Sequence, residues 1–332
     1  MTPPRPGALP TACPVVDPLG SPARDTVVEL ELLEVGSCTG PAGILAPEQL
    51  PRGWGLRRIA AWRRPVVCPA LVALVRHPRH GVVLVDTGYA ARFFSATRPW
   101  PERAYRLATP VSLRPADLLV AQLGTRGIAM SDVRHVVVTH WHADHIAGLR
   151  DFPEAMVHTR RDGLVALQRL HAGPLGRARA TRVAFLPELV PEDLDERARW
   201  LEDAAGPVPA SLAPLDAPAD AVRAYDIFGD GTLVAVDLPG HAPGMVGVAV
   251  RAGGGVTLLA ADACWRAGDL ERAEPLPWLA RSILWDTAAT RRTLARVAAL
   301  RRARPEIAVV PSHCAPSIAA WRAAAADRGR AG

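Results

Sequence analysis

The sequence predicts an α/β fold in one large domain, and three observations carry that expectation. Short apolar, β-branched runs recur along the chain. Stretches with helical spacing stand between them, and residues able to carry chemistry follow the ends of several of the apolar runs. A chain of 332 residues could form two ordinary domains, but cutting it in two would divide one constellation of side chains. At 49% hydrophobic residues it has enough apolar material for a sizeable core.

Residues 1–24 are rich in proline and show neither a basic start nor an apolar segment, so they read as a loose tail and not as a secretory signal. Residues 26–35 alternate apolar and acidic side chains, as an opening strand with one wet face does. Residues 66–76 and 81–85, separated by His77-Pro78-Arg79-His80, read as a hairpin with both histidines in the turn. Residues 89–109 carry Phe93, Phe94, Trp100 and Tyr105 among prolines; these aromatics suit the wall of a substrate pocket and equally a core. A helix is expected over 114–127, starting near Pro115-Ala116-Asp117. Residues 133–138 follow a Ser131-Asp132 turn and read as a strand buried on both faces. Residues 162–171 have helical spacing, 187–200 place acidic residues before a further helix, and 206–221 form an alanine- and proline-rich surface loop. Residues 232–236 and 256–259 are strands. Gly253-Gly254-Gly255 is a hairpin tip and no phosphate cradle, since no helix follows it. A helix from Thr287 ends in Arg301, Arg302 and Arg304, where cations suit the helix dipole, and 307–310 is the last apolar run.

The densest chemistry lies in residues 139–148, Thr-His-Trp-His-Ala-Asp-His-Ile-Ala-Gly, directly after the 133–138 strand. Four metal-ligand types, His140, His142, Asp144 and His145, fall within six positions of a chain with ten histidines. In extended chain His140, His142 and Asp144 begin on one side, with His145 turned toward a second position, so two neighbouring metals follow naturally. The two histidines at i and i+4 of a metalloprotease helix are not present. Further along, His241 follows the 232–236 strand through Asp237-Leu238-Pro239-Gly240, Asp262 follows 256–259, and His313 follows 307–310. A lone histidine or aspartate after a strand is more often a solvated loop residue; it is the recurrence and order that give these three weight.

Those segments, together with the earlier Val82-Val83-Leu84-Val85-Asp86-Thr87-Gly88, resemble the successive motifs of the metallo-β-lactamase superfamily over roughly residues 27 to 320. The resemblance implies an αββα sandwich of two mixed β-sheets flanked by helices, a single domain over 25–332, and a variable insert at about 160–225 that shapes substrate choice. It implies that His140, His142 and His241 hold one metal, that Asp144, His145 and His313 hold the other, that Asp262 bridges them, and that Asp86 orients ligands by hydrogen bonding. Two Zn2+ per chain suit this donor set, with iron or manganese as alternatives. A hydroxide between ions roughly 3.5–4 Å apart would then attack, and Asp144 is the candidate catalytic residue that steadies it or shuttles its proton.

True β-lactamases of the superfamily have cysteine or serine near the Asp262 position, so the aspartate points toward lactonases, thioesterases and phosphodiesterases. The favoured reaction is hydrolysis of a carboxylic ester, a lactone like the acyl homoserine lactones, or a thioester. The chain departs from the lactonases in offering no clear tyrosine on the substrate side, Tyr225 being the candidate. Little chain follows His313 to supply the basic glutathione-binding module of glyoxalase-II-like enzymes. Alternatives are a phosphodiesterase or nuclease, a mononuclear iron sulfur dioxygenase, and a metal-binding protein without turnover. The diiron flavoproteins carry glutamate where His142 stands.

The expected partner is a small molecule, and a homo-oligomer is left open. The formal charge of +6 comes from arginine alone, as no lysine is present, and the arginines occur as scattered pairs, so no nucleic acid is expected. No stretch has the apolar length of a membrane span. Five cysteines without paired spacing suit a reducing, cytoplasmic compartment. Cys264 and Cys314, close to proposed ligands, read as packed thiols or as sites of oxidation or adventitious metal contact.

Overall fold

Each strand of the chain has to hide its apolar side chains, and thirteen of them do so by forming two sheets laid face to face. The computed structural model describes residues 28–46, 50–51, 55–216, 222–271 and 281–331. Among these the strands are β1 (Glu29–Pro41), β2 (Pro65–His77), β3 (Gly81–Val85), β4 (Val111–Ser112), β5 (Val133–Val137), β6 (Met156–Thr159), β7 (Ala198–Trp200), β8 (Ala205–Gly206), β9 (Ala224–Asp226), β10 (Leu233–Asp237), β11 (Val246–Ala252), β12 (Gly255–Leu259) and β13 (Ala308–Val310). One sheet has the order β4-β1-β2-β3-β5-β6-β7 and the other β13-β12-β11-β10-β9-β8. Both are mixed. In the first, β3, β5, β6 and β7 run parallel, and in the second β13 lies parallel to β12; the remaining pairs are antiparallel.

Alternation along each strand sorts its side chains into layers. Ala73, Val75, Val83, Val85 and Val137 of the first sheet meet Leu233, Val248, Val250, Leu259 and Val310 of the second in one apolar layer. Their neighbours Val72, Leu74, Leu84 and Val136 face outward beneath helices that include Ala91–Ala96 and Arg161–Ala172. On the other side Val234, Val236 and Leu258 lie beneath Val297 and Leu300 of the Thr287–Ala303 helix. The result is the αββα sandwich expected from the sequence. Because β2 and β3 are covered on both faces, their sequences are nearly continuous apolar runs, whereas β5, expected as buried on both faces, carries the exposed Arg134 and the half-buried His135 before Val136 and Val137.

Several local expectations need correction. The helix expected over 114–127 is broken at Leu118, which is extended (ψ 133°) between a single turn at Pro115–Asp117 and the Leu119–Gly124 helix. Within 187–200 only Leu194–Arg197 is α-helical, after a single 3-10 turn at Pro187–Leu189, and Ala198–Trp200 joins the first sheet as β7. The opening strand runs on to Pro41, past an irregularity between Glu34 and Ser37. A helix at Ala315–Ala331 was not anticipated; Trp321 from it donates its indole N–H to Thr257 Oγ1 at 2.9 Å and ties it to β12. The tail at 1–24, with Cys13, and part of the 206–221 loop lie outside the described residues.

The Thr287–Ala303 helix begins at Asp286, whose side chain accepts from the Ala289 amide at 2.9 Å while its own amide donates to Gly240 O at 2.8 Å. This cap therefore fastens the segment that carries His241. Asp286→Ala is expected to lower unfolding stability by about 1 kcal/mol, as losing an N-cap does, measured by urea denaturation at neutral pH.

His77 and His80 do occupy the β2–β3 turn. His77 Nδ1 accepts from the amides of Arg79 and His80 at 3.1 and 3.2 Å, and its Nε2 lies 3.1 Å from both Asp230 and Thr232. Next to it, between the sheets, stand His135 and His158. Burial, then His80, His77, Arg199 and Arg134, push His135 down to about 4; burial, then His135, Arg199 and His80, push His158 down to about 3. Folded His158 thus stays neutral where the unfolded chain, at the ordinary 6.5, takes up a proton. Stability should fall as pH drops from about 6.5 toward 3, with His158 contributing a slope of at most about 1.4 kcal/mol per pH unit. His158→Gln should flatten that acid limb in denaturation curves taken across pH 4–7. An unchanged limb would contradict the assignment.

Candidate metal centre

The ends of five strands bring the proposed ligands to one edge of the sandwich. Asp86 follows β3, His140 to His145 follow β5, His241 follows β10, Asp262 follows β12 and His313 follows β13. After β5 the chain stays extended through His142 (φ −77°, ψ 151°) and then closes into one helical turn, Ala143–Ile146, which turns Asp144 and His145 inward. All seven proposed ligands and Asp86 are buried.

Their ring nitrogens and carboxylate oxygens converge in three overlapping sets: His140, His142 and His241; His140, His145 and Asp262; and Asp144, His145 and His313. Within each set the potential donor atoms lie within 4.8 Å of one another. His142 Nδ1 faces His241 Nε2 at 3.0 Å. His313 Nε2 lies 3.1 Å from Asp262 Oδ2 and 3.3 Å from Asp144 Oδ2. Asp262 also approaches His241 Nε2 at 3.3 Å through Oδ2 and His145 Nε2 at 3.4 Å through Oδ1, so it stands between the two halves of the cluster.

The far side of each half is tied down by hydrogen bonds. Asp86 accepts from the Thr139 amide and hydroxyl, both at 2.8 Å, and lies 2.7 Å from His145 Nδ1. This leaves His145 Nε2 aimed into the cluster. Asp86 sits at φ 62°, in the left-handed region, a conformation that costs of order 1–2 kcal/mol for a residue with a Cβ and is held here by those bonds. His313 Nδ1 lies 2.8 Å from Pro69 O, which points its Nε2 the same way. The His241 segment is held from behind by Thr293, whose hydroxyl donates to Pro239 O at 2.7 Å. Gly240 has φ 133°, and a Cβ there would come within 2.2 Å of the Thr290 amide nitrogen, so only glycine lets this segment lie against the helix.

The donor set fits divalent cations. His140 Nε2, His145 Nε2 and Asp262 Oδ1 are buried without a hydrogen-bond partner, an arrangement that is costly unless something else is bound there. Burial holds His140 well below its ordinary range and His142 at about 3, so both present free lone pairs. His145 and His313 are held well above theirs, against the effect of burial, chiefly by Asp86 acting on His145 and by Asp262 acting on His313. Three buried carboxylates around two imidazoles attract positive charge, and bound cations would satisfy the same demand.

Five members of the cluster, His142, Asp144, His241, Asp262 and His313, line a cavity of about 300 Å3. Pro41, Ile44, Leu45, Ala108 and Ile283 are among its walls, and Tyr89 and Tyr105 also line it. Of the aromatics read as pocket wall or core, Tyr105 lines this cavity, whereas Phe93, Phe94 and Trp100, and the separate candidate Tyr225, do not. Phe93 is fully buried among Tyr89, Phe94 and Tyr105; Phe94 packs edge-on against Phe93, and Trp100 is 61% exposed. Tyr225 lies elsewhere, its hydroxyl donating to Asp237 Oδ1 at 3.0 Å beside an Asp237–Arg160 ion pair. Tyr89 directly follows Asp86-Thr87-Gly88, and this adjacency was the signal that could have found it. Burial raises the hydroxyls of Tyr89 and Tyr105 far above the usual range, so both remain donors. Cys264 and Cys314 are packed thiols: both are buried, burial keeps Cys264 protonated, and Cys314 Sγ accepts from Ser317 at 3.0 Å.

Sequence comparison agrees with this architecture. The model of the metallo-beta-lactamase superfamily matches residues 65–313, and the chain belongs to that superfamily of metallo-hydrolases. A "probable metallo-hydrolase" of Mycobacterium tuberculosis is 32% identical over 241 residues, 70% of this chain and 71% of the relative. The N-acyl homoserine lactonase AttM of Azorhizobium caulinodans is 30% identical over 205 residues, 59% of this chain and 65% of the relative. Among solved structures, an N-acyl homoserine lactone hydrolase with N-hexanoyl-L-homoserine at its catalytic metal centre superposes with a TM-score of 0.61 at 16% identity, covering 87% of this chain and 95% of the other. AidC, a dizinc quorum-quenching lactonase, gives 0.53 at 16% identity over 87% and 88%. At such identities the solved structures speak for the fold alone. Among the described residues no helix is long and apolar enough to cross a membrane.

Proposed function

We propose that the protein is a dinuclear zinc hydrolase that opens a carboxylic ester bond, with a lactone carrying an apolar acyl group as its favoured substrate class. The observation that carries this reading is the convergence of seven buried ligand-type side chains, five of which line a largely apolar cavity. His140, His142 and His241 would hold one ion and Asp144, His145 and His313 the other, with Asp262 shared. Two bound Zn2+ would supply an acidified water and Lewis-acid polarisation of the substrate carbonyl.

The remaining work falls to the chain. The carboxylate of Asp144, which lines the cavity, is held at about 2 and stays ionised. Burial opposes that, and His145 and His313 outweigh it. It can orient the attacking water through a hydrogen bond and take up its proton. The Tyr89 and Tyr105 hydroxyls are donors available to the carbonyl oxygen as negative charge develops there. Ile44, Leu45 and Ile283 exclude water and accept the acyl group.

Metal analysis of the purified full chain, followed by turnover on a panel of N-acyl homoserine lactones, thioesters and bis(p-nitrophenyl) phosphate, tests the reading. Two zincs per chain with lactone turnover support it. Preferred phosphodiester cleavage, or one iron per chain with oxygen uptake, would replace it.

A further inference from the structure

A second pair of facing imidazoles stands apart from the first centre, within β5 and β6. His135 and His158 project from the neighbouring parallel strands β5 and β6, and His135 Nδ1 faces His158 Nε2 at 3.0 Å. That is the same separation and the same pairing of nitrogens as between His142 and His241. His135 lies five residues before His140, roughly 15 Å along an extended chain. The two pairs are therefore separate sites.

We propose that His135 and His158 form a second transition-metal site that takes one Cu2+, Ni2+ or Zn2+ ion through two imidazole nitrogens and leaves its other positions to water or a small ligand. Two nitrogens 3.0 Å apart suit a metal about 2.0–2.1 Å from each, at adjacent corners of a square or octahedral arrangement. The pair opens on a cavity of about 630 Å3 with room for the remaining ligands. Phe228 and Trp200 contribute aromatic walls; Asp203 and Asp226 also line it, but both Asp226 oxygens accept from the Gly229 and Gly231 amides at 2.9 Å and, among the described residues, no carboxylate groups with the two imidazoles as a third donor, so the further ligands are water or a small molecule. His80 stacks on Phe228 with ring centroids 4.0 Å apart and closes one side. Burial keeps both imidazoles of the pair neutral, so protons do not compete with the metal near pH 7. When the ion binds, the shared proton of the His135–His158 hydrogen bond moves to the outer nitrogen of its own ring, and no net proton is released.

A neighbouring group, His77, His80 and Asp230, has donor atoms within 4.8 Å of one another but does not serve. His77 Nδ1 accepts from two backbone amides, so in the neutral ring the proton sits on Nε2, which faces Asp230 and Thr232. Ligation through Nε2 would move that proton onto Nδ1 and break both amide bonds. His77 is a turn lock, and the ligating capacity rests with the His135–His158 pair.

The test is Cu2+ titration of the full chain carrying its resident metals, read by electron paramagnetic resonance and by metal mass spectrometry. One added copper per chain is expected, with nitrogen hyperfine structure and with the resident metals retained. His135→Gln and His158→Gln should each weaken that copper at least tenfold while leaving ester turnover unchanged. Three results would overturn the proposal: no added equivalent in the wild-type chain, copper that enters only by expelling the resident metals, or copper bound equally tightly by both variants. The wild-type measurement decides by itself should a variant fail to fold. A plain hydrogen bond between two neutral imidazoles corresponds to the first of these results.

Discussion

On the function proposed above, Asp262→Ala is expected to lower kcat/KM on a lactone substrate by about three orders of magnitude, and the bound metal from the proposed two ions per chain to one or none. The side chain stands within 3.4 Å of ring nitrogens on His145, His241 and His313, so its removal takes a shared ligand from both halves of the cluster at once. The size follows from losing charge stabilisation where the reaction develops it, a loss worth about 10²–10³ in kcat for one positioned donor and more when a metal goes with it. The fold should survive. Asp262 lies past the end of β12, and the apolar layer between the sheets does not include it. Circular dichroism beside metal mass spectrometry separates loss of the centre from loss of the fold. Unchanged metal content with unchanged turnover would remove Asp262 from the centre.

Asp86→Ala should give the second largest effect, a fall of about 10- to 100-fold in metal affinity or activity, although Asp86 is assigned to no ion. Without its carboxylate the His145 ring loses the partner 2.7 Å from Nδ1 that fixes which nitrogen faces the cluster, and the buried Thr139 amide loses its acceptor. The unsatisfied amide adds about 1–3 kcal/mol of lost stability. Asp86→Asn separates the two effects. Its carbonyl oxygen can still accept from the Thr139 amide, so stability should largely return, but an amide cannot replace the negative charge beside His145, and metal affinity should stay low. Competition with a chelator of known affinity measures this. If the asparagine variant bound metal as tightly as the wild type, the role of the Asp86 charge would fall.

Some of this was legible in the sequence, for physical reasons. The 139–148 segment could be read because local spacing after an apolar strand sets where its side chains begin, and the structure needs only one helical turn to aim Asp144 and His145. His241, Asp262 and His313 were legible as positions past strand ends. Which of their atoms face one another depends on the pairing of strands far apart in sequence. The aromatic residues were less readable. The Ala91–Ala96 helix buries Phe93 in the core, while Tyr89, two residues before that helix begins, lines the cavity; composition alone does not distinguish these surroundings. Tyr225 sits between an acid and an arginine that are distant in sequence, Asp237 and Arg160, and no local pattern announces that pairing. The Ala315–Ala331 helix shows no clear apolar stripe, so periodicity misses it, although its run of alanines has high helix propensity. The facing imidazoles of His135 and His158 were invisible for the same reason as the distant ligands: parallel pairing of β5 with β6 brings them together.

Anomalous X-ray diffraction from crystals of the full chain, recorded on either side of the zinc absorption edge, tests the central claim most directly. Two peaks are expected at the strand ends, one about 2.0–2.2 Å from ligand atoms of His140, His142 and His241 and the other equally close to those of Asp144, His145 and His313, with Asp262 reaching both. No peak among these seven side chains, or a single one, in crystals grown with zinc present would contradict the dinuclear centre.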